Sequence, residues 1–183
     1  MKIRTFIAFN IEPFELNNLI KIRDEVFQNS SIKFESNDKL HITIKFIGDI
    51  EEVKISELII ALQNIANSIC SFELNFSKFG LFKKNGLPAV IWAGINESTE
   101  LLTLHKIIEN NSVKIGFEKE KKKYKPHLTL IRFKRNNNFS NYKLILDKEI
   151  SNIRFRVTQF SLIKSELKIT GSEYTIIKKF ILK

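Results

Sequence analysis

The sequence contains a single cysteine among its 183 residues and has no long hydrophobic run. One thiol, Cys70, excludes an internal disulfide framework and a multi-cysteine zinc site. No apolar stretch approaches the roughly 18–20 residues that a membrane span needs. The N-terminal segment also lacks the apolar core and small-residue cleavage site of a secretory signal. We therefore expect a cytoplasmic protein that does not enter a membrane.

The charge balance is strongly basic, with 30 Lys and Arg residues against 20 Asp and Glu residues, a formal net charge of +10. A basic protein favours polyanionic partners such as nucleic acids. The same excess can reflect a compositional bias of the genome, so charge alone leaves nucleic-acid binding open. The hydrophobic share of 43% is typical of a globular chain. The length suits one domain, or two small lobes that share a core.

Hydrophobic periodicity predicts a mixed α+β chain in which neighbouring strands form antiparallel sheets. A charged connector spans 116–126, Asn136–Asn138 reads as a loop, and Thr170–Ser172 reads as the turn of a final hairpin. No linker separates the chain into independent parts. The predicted strands cover 2–9, 40–47, 72–82, 89–95, 127–133, 153–167 and 174–182, and the predicted helices cover 13–28, 51–68 and 98–113.

Two of the three histidines stand in nearly identical tetrapeptides, separated by almost half of the chain. We call His41–Ile44 (His-Ile-Thr-Ile) the first motif and His127–Leu130 (His-Leu-Thr-Leu) the second motif. At average composition, a histidine is followed by such a pattern in roughly 1 case per 100. Two occurrences among three histidines therefore indicate a shared function more than a coincidence.

On a strand, residues two apart point to the same face. Each motif thus places an imidazole and a hydroxyl together above a packed apolar layer, and duplicated lobes would face the two pairs across one cleft. Two imidazoles with ordinary pKa values of about 6.5 suit acid–base catalysis near neutral pH. The hydroxyls can donate to phosphoryl oxygens, so the set is equipped for phosphoester cleavage without metal.

Two other interpretations of the motifs are less favoured. Each His-Thr pair could be the polar side of a half-exposed strand, which is common for one motif and improbable for a matched pair. A zinc site is less favoured still, because threonine is a poor zinc ligand and no cysteine or carboxylate accompanies the histidines.

The chain resembles the 2H phosphoesterases, specifically the LigT/ThpR branch of RNA 2′,3′-cyclic phosphodiesterases, often labelled 2′-5′ RNA ligases. Besides the two motifs, the resemblance rests on segments that span nearly the full length: RTFIAF (4–9), FSKFGLF (76–82), AVIWAGI (89–95), GFEKEKKKYKP (116–126) and SLIKSEL (161–167). It implies an α+β, bilobal 2H phosphoesterase fold over residues 1–183. In that fold, two pseudo-symmetric antiparallel sheets with outer helices flank a central cleft.

The resemblance further implies hydrolysis of RNA 2′,3′-cyclic phosphate ends to 2′-phosphomonoesters, with no metal and no cofactor. It maps the catalytic pair to His41 and His127 and the phosphate donors to Thr43 and Thr129. We assign His127 as the base that activates water and His41 as the acid, although the sequence does not fix this order. The expected partners are RNA with a cyclic end or a small cyclic nucleotide, and the expected oligomeric state is a monomer.

Arg132, five residues after His127, is a candidate for phosphate contact because this branch carries a basic residue there. Strand periodicity places Arg132 on the face opposite His127 unless the strand bulges. The lysines of Lys121–Lys125 stand where the family often has an arginine, and most of them fit a solvated charge run.

Three further residues have mainly structural interpretations. Trp92 fits a core residue better than a base-stacking one. Phe6 and Phe46 lie next to the expected cleft strands, and the same choice between packing and stacking applies to them.

Two alternative functions stay open. The same site could perform 2′-5′ RNA ligation or cleave 2′-5′ linkages, since the same groups can serve both directions of a reaction. The chain could also be a non-catalytic RNA-binding module, which predicts salt-dependent binding without turnover.

Overall fold

The computed structural model describes residues 2–27, 34–133, 148–169 and 171–183. Within these residues the chain forms eight strands, three α-helices and a short 3-10 helix. In chain order they are β1 (Lys2–Phe9), α1 (Pro13–Phe27), the 3-10 helix (Asn37–Lys39), β2 (Ile42–Glu51), α2 (Val53–Ser68), β3 (Phe72–Lys84), β4 (Leu87–Ile95), α3 (Thr99–Lys114), β5 (His127–Arg132), β6 (Arg154–Val157), β7 (Gln159–Lys168) and β8 (Gly171–Ile181).

The eight described strands are antiparallel neighbours in the order β6-β3-β4-β5-β2-β1-β7-β8. The middle pair is the weakest, because β2 and β5 meet in register only at Ile42 and Leu128. This seam divides the sheet into two four-stranded halves, β6-β3-β4-β5 and β2-β1-β7-β8. Each half contributes its motif strand to the seam. The two antiparallel sheets that the resemblance implies are joined here into one eight-stranded sheet through the Ile42–Leu128 pair.

The helices cover the face of the sheet that carries the apolar residues of the motifs. The inward stripes of α2 (Leu58, Leu62) and α3 (Leu104, Ile108) join one continuous hydrophobic core with those residues. Each fully buried Leu or Ile side chain stabilises the fold by about 1.5–3 kcal/mol relative to exposure. The rigid apolar layer therefore fixes the backbone from which the polar motif side chains project.

The capping of α3 follows from its sequence. Ser98 precedes the helix in an extended conformation, and its Oγ accepts a hydrogen bond from the backbone N–H of Leu101 at 3.1 Å. Such a cap satisfies one of the free N–H groups of the first turn and contributes about 1 kcal/mol.

Two strand predictions differ from the structure. The predicted strand over 153–167 is two strands, because β6 pairs with β3 whereas β7 pairs with β1 and β8. Val157 and Phe160, both buried, are three residues apart, so the alternation slips where the chain crosses between halves. The strand over 40–47 continues to Glu51, since Gly48 (φ +85°) is accommodated inside β2 at a register shift.

The remaining elements agree with expectation within a few residues. The final hairpin is confirmed as β7 and β8, although Thr170 lies outside the described residues. The predicted loop at Asn136–Asn138 also lies outside them. No described helix has the length and hydrophobicity to cross a membrane.

Candidate active site

The two motifs lie side by side at the seam. Ile42 and Leu128 are paired and fully buried, so the histidine and threonine of each motif project from the opposite face of the sheet. Extending this antiparallel pair by one residue in each direction places the threonine of each motif across from the histidine of the other. The structure thus brings together the four polar residues that the sequence singled out.

The second motif is followed by a β-bulge. Thr129 and Ile131 each pair with β4, and Leu130 between them has no partner. Leu130 and Ile131 are consecutive buried residues, and the alternation resumes with exposed Arg132. Arg132 therefore lies on the same face as His127. Strict alternation would have placed it on the opposite face, and the bulge accounts for the difference.

The first motif is followed by a matching bulge. Thr43 and Lys45 pair with β1, Ile44 between them has no partner, and Ile44 and Lys45 are both buried. The residue five places after His41 is Phe46, whose side chain is 61% exposed. Phe46 and Arg132 thus occupy equivalent positions, one aromatic and one cationic, on the two sides of the seam. The sequence alone left open whether Phe46 packs or stacks.

Both imidazoles are held in the same way. Nδ1 of His41 lies 2.7 Å from the carbonyl oxygen of Lys39, and Nδ1 of His127 lies 2.7 Å from that of Lys125. A carbonyl can only accept, so each Nδ1 carries the proton and donates it. In the neutral state each Nε2 keeps its lone pair, which is what a general base requires. The sequence signal of this repeated contact is the lysine that stands two residues before each motif histidine.

Aromatic rings enclose the imidazole of His41. The ring centre of Phe6 lies 4.8 Å from that of His41, and Tyr174 meets the imidazole edge-on at 5.1 Å. Phe46 lies 6.0 Å from Phe6, so it extends this aromatic wall towards solvent.

A second set of rings encloses His127. Phe82 lies edge-on at 4.9 Å and Trp92 lies 6.2 Å away. Trp92 is only 4% exposed, in accordance with its expected burial, yet it borders the motif face. The indole needs the glycines at 80 and 94, because a Cβ at either would overlap its ring.

The pKa of each motif histidine is lowered. Burial is the largest cause for His41, the hydrogen bond to Lys39 opposes it, and the charge of Arg132 and the imidazole of His127 lower the pKa further, to about 4. For His127, burial again dominates, the bond to the Lys125 carbonyl opposes it, and the charges of Arg132 and Lys125 add to the lowering of the pKa. Both imidazoles are therefore neutral at pH 7 before a substrate binds.

A buried ion pair fastens the connector to the first motif strand. Nζ of Lys45 contacts both carboxylate oxygens of Glu109 at 3.0 and 2.9 Å and donates to the carbonyl of Glu118 at 3.0 Å. The N–H of Glu120 donates to Glu109 at 2.8 Å. The connector that leads into the second motif is thereby bound to β2, the strand of the first motif.

Tyr124 adds another tie. Its hydroxyl donates to the carbonyl of Thr43 at 3.1 Å, and its ring stacks on His105 with a centre distance of 3.9 Å. Burial raises the pKa of Tyr124, which keeps the hydroxyl protonated as a donor. The sequence interpretation did not identify Tyr124 or the Lys45–Glu109 pair as functional.

The remaining candidates are simpler. Lys121, Lys122 and Lys123 are exposed, as a solvated charge run would be. Cys70 is exposed and free. In the part of the chain that the structure describes, no three His, Cys, Asp or Glu side chains cluster as metal ligands would.

Known proteins are similar to this chain in sequence. A model of a family described as LigT-like phosphoesterases matches residues 11–92 and 94–171. An RNA 2′,3′-cyclic phosphodiesterase of Methanocaldococcus jannaschii is 31% identical over 179 residues, which cover 97% of this chain and 99% of that protein. The corresponding protein of Methanothermobacter thermautotrophicus is 28% identical over 184 residues, which cover 98% and 99%.

Solved structures share the fold. Escherichia coli LigT in its apo form superposes with a TM-score of 0.82 at 21% identity, covering 100% of this chain and 98% of that one. A protein of Thermus thermophilus gives a TM-score of 0.83 at 24% identity, covering 98% and 97%. A further E. coli LigT structure, in complex with 3′-AMP, gives a TM-score of 0.79 at 22% identity and covers 100% and 98%.

Proposed function

The chain belongs to the LigT-like phosphoesterase family, and we propose that it hydrolyses RNA 2′,3′-cyclic phosphate ends to 2′-phosphomonoesters without a metal. Relatives over nearly the full length carry the name RNA 2′,3′-cyclic phosphodiesterase. The observation that carries the proposal is the pair of imidazoles, His41 and His127, each held through Nδ1–H and standing on the same face of two neighbouring strands.

The four motif residues have distinct roles in this proposal. His127 Nε2 takes a proton from water as the water oxygen attacks phosphorus. The bond between phosphorus and the 3′-oxygen breaks, and His41 gives that oxygen its proton. Thr43 and Thr129 donate hydrogen bonds to the non-bridging oxygens. Such positioned acid–base groups typically contribute about 10²–10⁴-fold in rate.

The protonation states follow from the charges. Because both imidazoles are neutral at pH 7 before the substrate binds, His41 must gain its proton with the substrate. An anionic phosphodiester beside an imidazole favours the charged form and raises its pKa. Binding of the substrate thus favours the protonated form of His41 that the reaction needs.

Phe46 and Arg132 flank the reacting group. Arg132 is 55% exposed, and its Nε lies 3.7 Å from Glu35, a loose contact that leaves other guanidinium donors for a phosphate. Phe46 offers an exposed ring on which a base can stack. We propose that the substrate is RNA or a small cyclic nucleotide, and that residues 1–183 act as one bilobal monomeric domain in the cytoplasm.

The proposal is tested with purified protein, excess EDTA and an RNA oligonucleotide that ends in a 2′,3′-cyclic phosphate. The products are separated by chromatography that resolves 2′- from 3′-phosphate ends. We expect a 2′-phosphate product whose rate of formation falls at least about 100-fold in His41→Ala and in His127→Ala. His105→Phe, which changes the third histidine and keeps an aromatic ring against Tyr124, is the matched control.

Other outcomes separate the alternatives. Salt-sensitive binding without turnover would favour an RNA-binding module. Formation or cleavage of 2′-5′ linkages, with no hydrolysis of the cyclic end, would favour the ligase or 2′-5′ phosphodiesterase.

A further inference from the structure

Lys125 lies beside the second motif and carries a charge that no described carboxylate neutralises. Its Nζ lies 4.2 Å from the ring centre of Trp92 and 5.6 Å from that of Phe82. None of the ion pairs among the described residues includes Lys125, whereas Arg132 contacts Glu35. Ring faces attract an ammonium group without supplying a counter-charge. Lys125 can therefore accept an anion without breaking an ion pair.

The surroundings of the two motif histidines differ in this respect. Lys39 stands two residues before His41, as Lys125 stands two residues before His127. Within the described part of the chain, however, no cation lies over Phe6 or Tyr174, the rings that enclose His41. One wall is aromatic only, and the other combines aromatic rings with a cation.

Trp92 supplies a second observation at the same wall. Its indole Nε1 is buried and has no hydrogen-bond partner among the described residues. Buried polar groups without a partner are rare in native structures and call for an explanation. The indole ring over which the ammonium group of Lys125 lies thus carries an unsatisfied donor, and both groups make this wall attractive to negative charge.

The spacing identifies which anion fits. Nζ of Lys125 lies 4.2 Å from the ring centre of Trp92, and that centre lies 6.2 Å from the ring centre of His127. The ammonium group and the imidazole are therefore close enough to contact consecutive phosphates of one nucleotide chain. When the cyclic phosphate lies at His127, the next phosphodiester on the 5′ side can reach Lys125. The nucleotide chain would then leave the site along Trp92 and Phe82.

We infer that Lys125, with Trp92 and Phe82, forms a subsite for the phosphodiester that precedes the terminal nucleotide. This inference rests on the proposed function and narrows its substrate class to oligonucleotides. Cyclic mononucleotides would be poorer substrates because they leave the subsite empty.

The test compares two dinucleotides that both end in a 2′,3′-cyclic phosphate. One has a natural internucleotide phosphodiester and the other an uncharged methylphosphonate, with a 2′-O-methyl group that prevents internal cleavage. The expected kcat/KM is about tenfold higher for the charged substrate, as one charge-assisted hydrogen bond would give. Lys125→Met should reduce this ratio below about twofold, and Lys125→Arg should retain it.

Lys39→Met is the matched control, because it changes the equivalent lysine of the other motif and should retain the ratio. A ratio near one in the native protein, or an undiminished ratio in Lys125→Met, would overturn the inference. Binding is measured in parallel through the fluorescence of Trp92, the single tryptophan of the chain. If neither dinucleotide is hydrolysed, the proposed function fails, while the ratio of the two dissociation constants still decides for or against the subsite.

Discussion

Replacing Glu109 by glutamine removes the counter-charge of a buried lysine with almost no change in side-chain size. The side chains of Lys45 and Glu109 are only 2% and 7% exposed, and their closest contact is 2.9 Å. In Glu109→Gln, the ammonium group of Lys45 keeps the carbonyl of Glu118 and a neutral amide as partners. Because the side chain of Lys45 is buried, the desolvation cost of its charge is no longer offset.

The expected cost is large for a single substitution. Removing one partner of a buried ion pair typically destabilises a protein by about 3–5 kcal/mol. Taking about 3 kcal/mol, the melting temperature of a chain of this length falls by about 6–12 °C. By contrast, Glu173 and Lys168 form an exposed pair, with 54% and 52% of their side chains accessible. Glu173→Gln should therefore cost less than about 1 kcal/mol.

The pH dependence has a defined sign. Burial alone would raise the pKa of Glu109, but the hydrogen bond from Lys45, the N–H of Glu120 and the charge of Lys45 outweigh it and lower the pKa. A lowered pKa means that the pair stabilises the fold fully above the ordinary glutamate range. That contribution is lost as the pH falls through the lowered value. The difference between native protein and Glu109→Gln should therefore shrink in acid.

Urea denaturation at pH 7 and at pH 4 measures these free energies. The double variant Lys45→Met/Glu109→Leu removes both charges and should recover part of the stability that Glu109→Gln loses, although it also removes the bonds to Glu118 and Glu120. A loss below about 1 kcal/mol in Glu109→Gln would refute the reasoning, since that is the value of an exposed pair. A double variant less stable than the single one would refute it as well.

Three further predictions concern the cleft. Because the pKa values of His41 (about 4) and His127 are both lowered, kcat/KM for a cyclic phosphate should peak below pH 6.5, since His41 of the free enzyme loses the acid's proton as the pH rises through about 4; a peak above pH 6.5 would contradict this. Phe46→Ala should raise KM for a cyclic nucleotide about tenfold through lost stacking. The KM for ribose 2′,3′-cyclic phosphate, which has no base, should not change; an equal rise in KM for both substrates would exclude a stacking role. In Gly80→Ala the new methyl group overlaps the ring of Trp92, so tryptophan emission should shift, and an unaltered spectrum would show that the indole does not lie there.

The local pattern of the sequence was sufficient to predict which residues form the polar face of each motif. Alternation puts His and Thr on one side of a strand and two apolar residues on the other, and the burial of Ile42 and Leu128 confirms it. The repetition of the motif predicted that the two motif strands lie close together, and β2 and β5 are neighbours in the sheet. These features are local or repeated, so they can be recognised without knowing which strands pair.

Other parts of the site depend on pairing and could not be predicted. The bulges that place Phe46 and Arg132 on the motif face arise from the register of β2 with β1 and of β5 with β4. The only local trace in the second motif strand is the pair of consecutive apolar residues after its threonine. The Lys45–Glu109 pair joins residues 64 apart in the chain. No periodicity links them, because packing of α3 against β2 creates the contact.

The proposed mechanism requires two imidazoles that perform different proton transfers, and a change of leaving group tests this most directly. In a cyclic substrate with sulfur in place of the 3′-oxygen, the departing thiolate needs no acid. We predict that the sulfur substrate restores most of the activity lost in His41→Ala and almost none of that lost in His127→Ala. Rescue of His127→Ala alone would reverse the two roles. Equal losses of both variants on both substrates would contradict the acid–base mechanism itself.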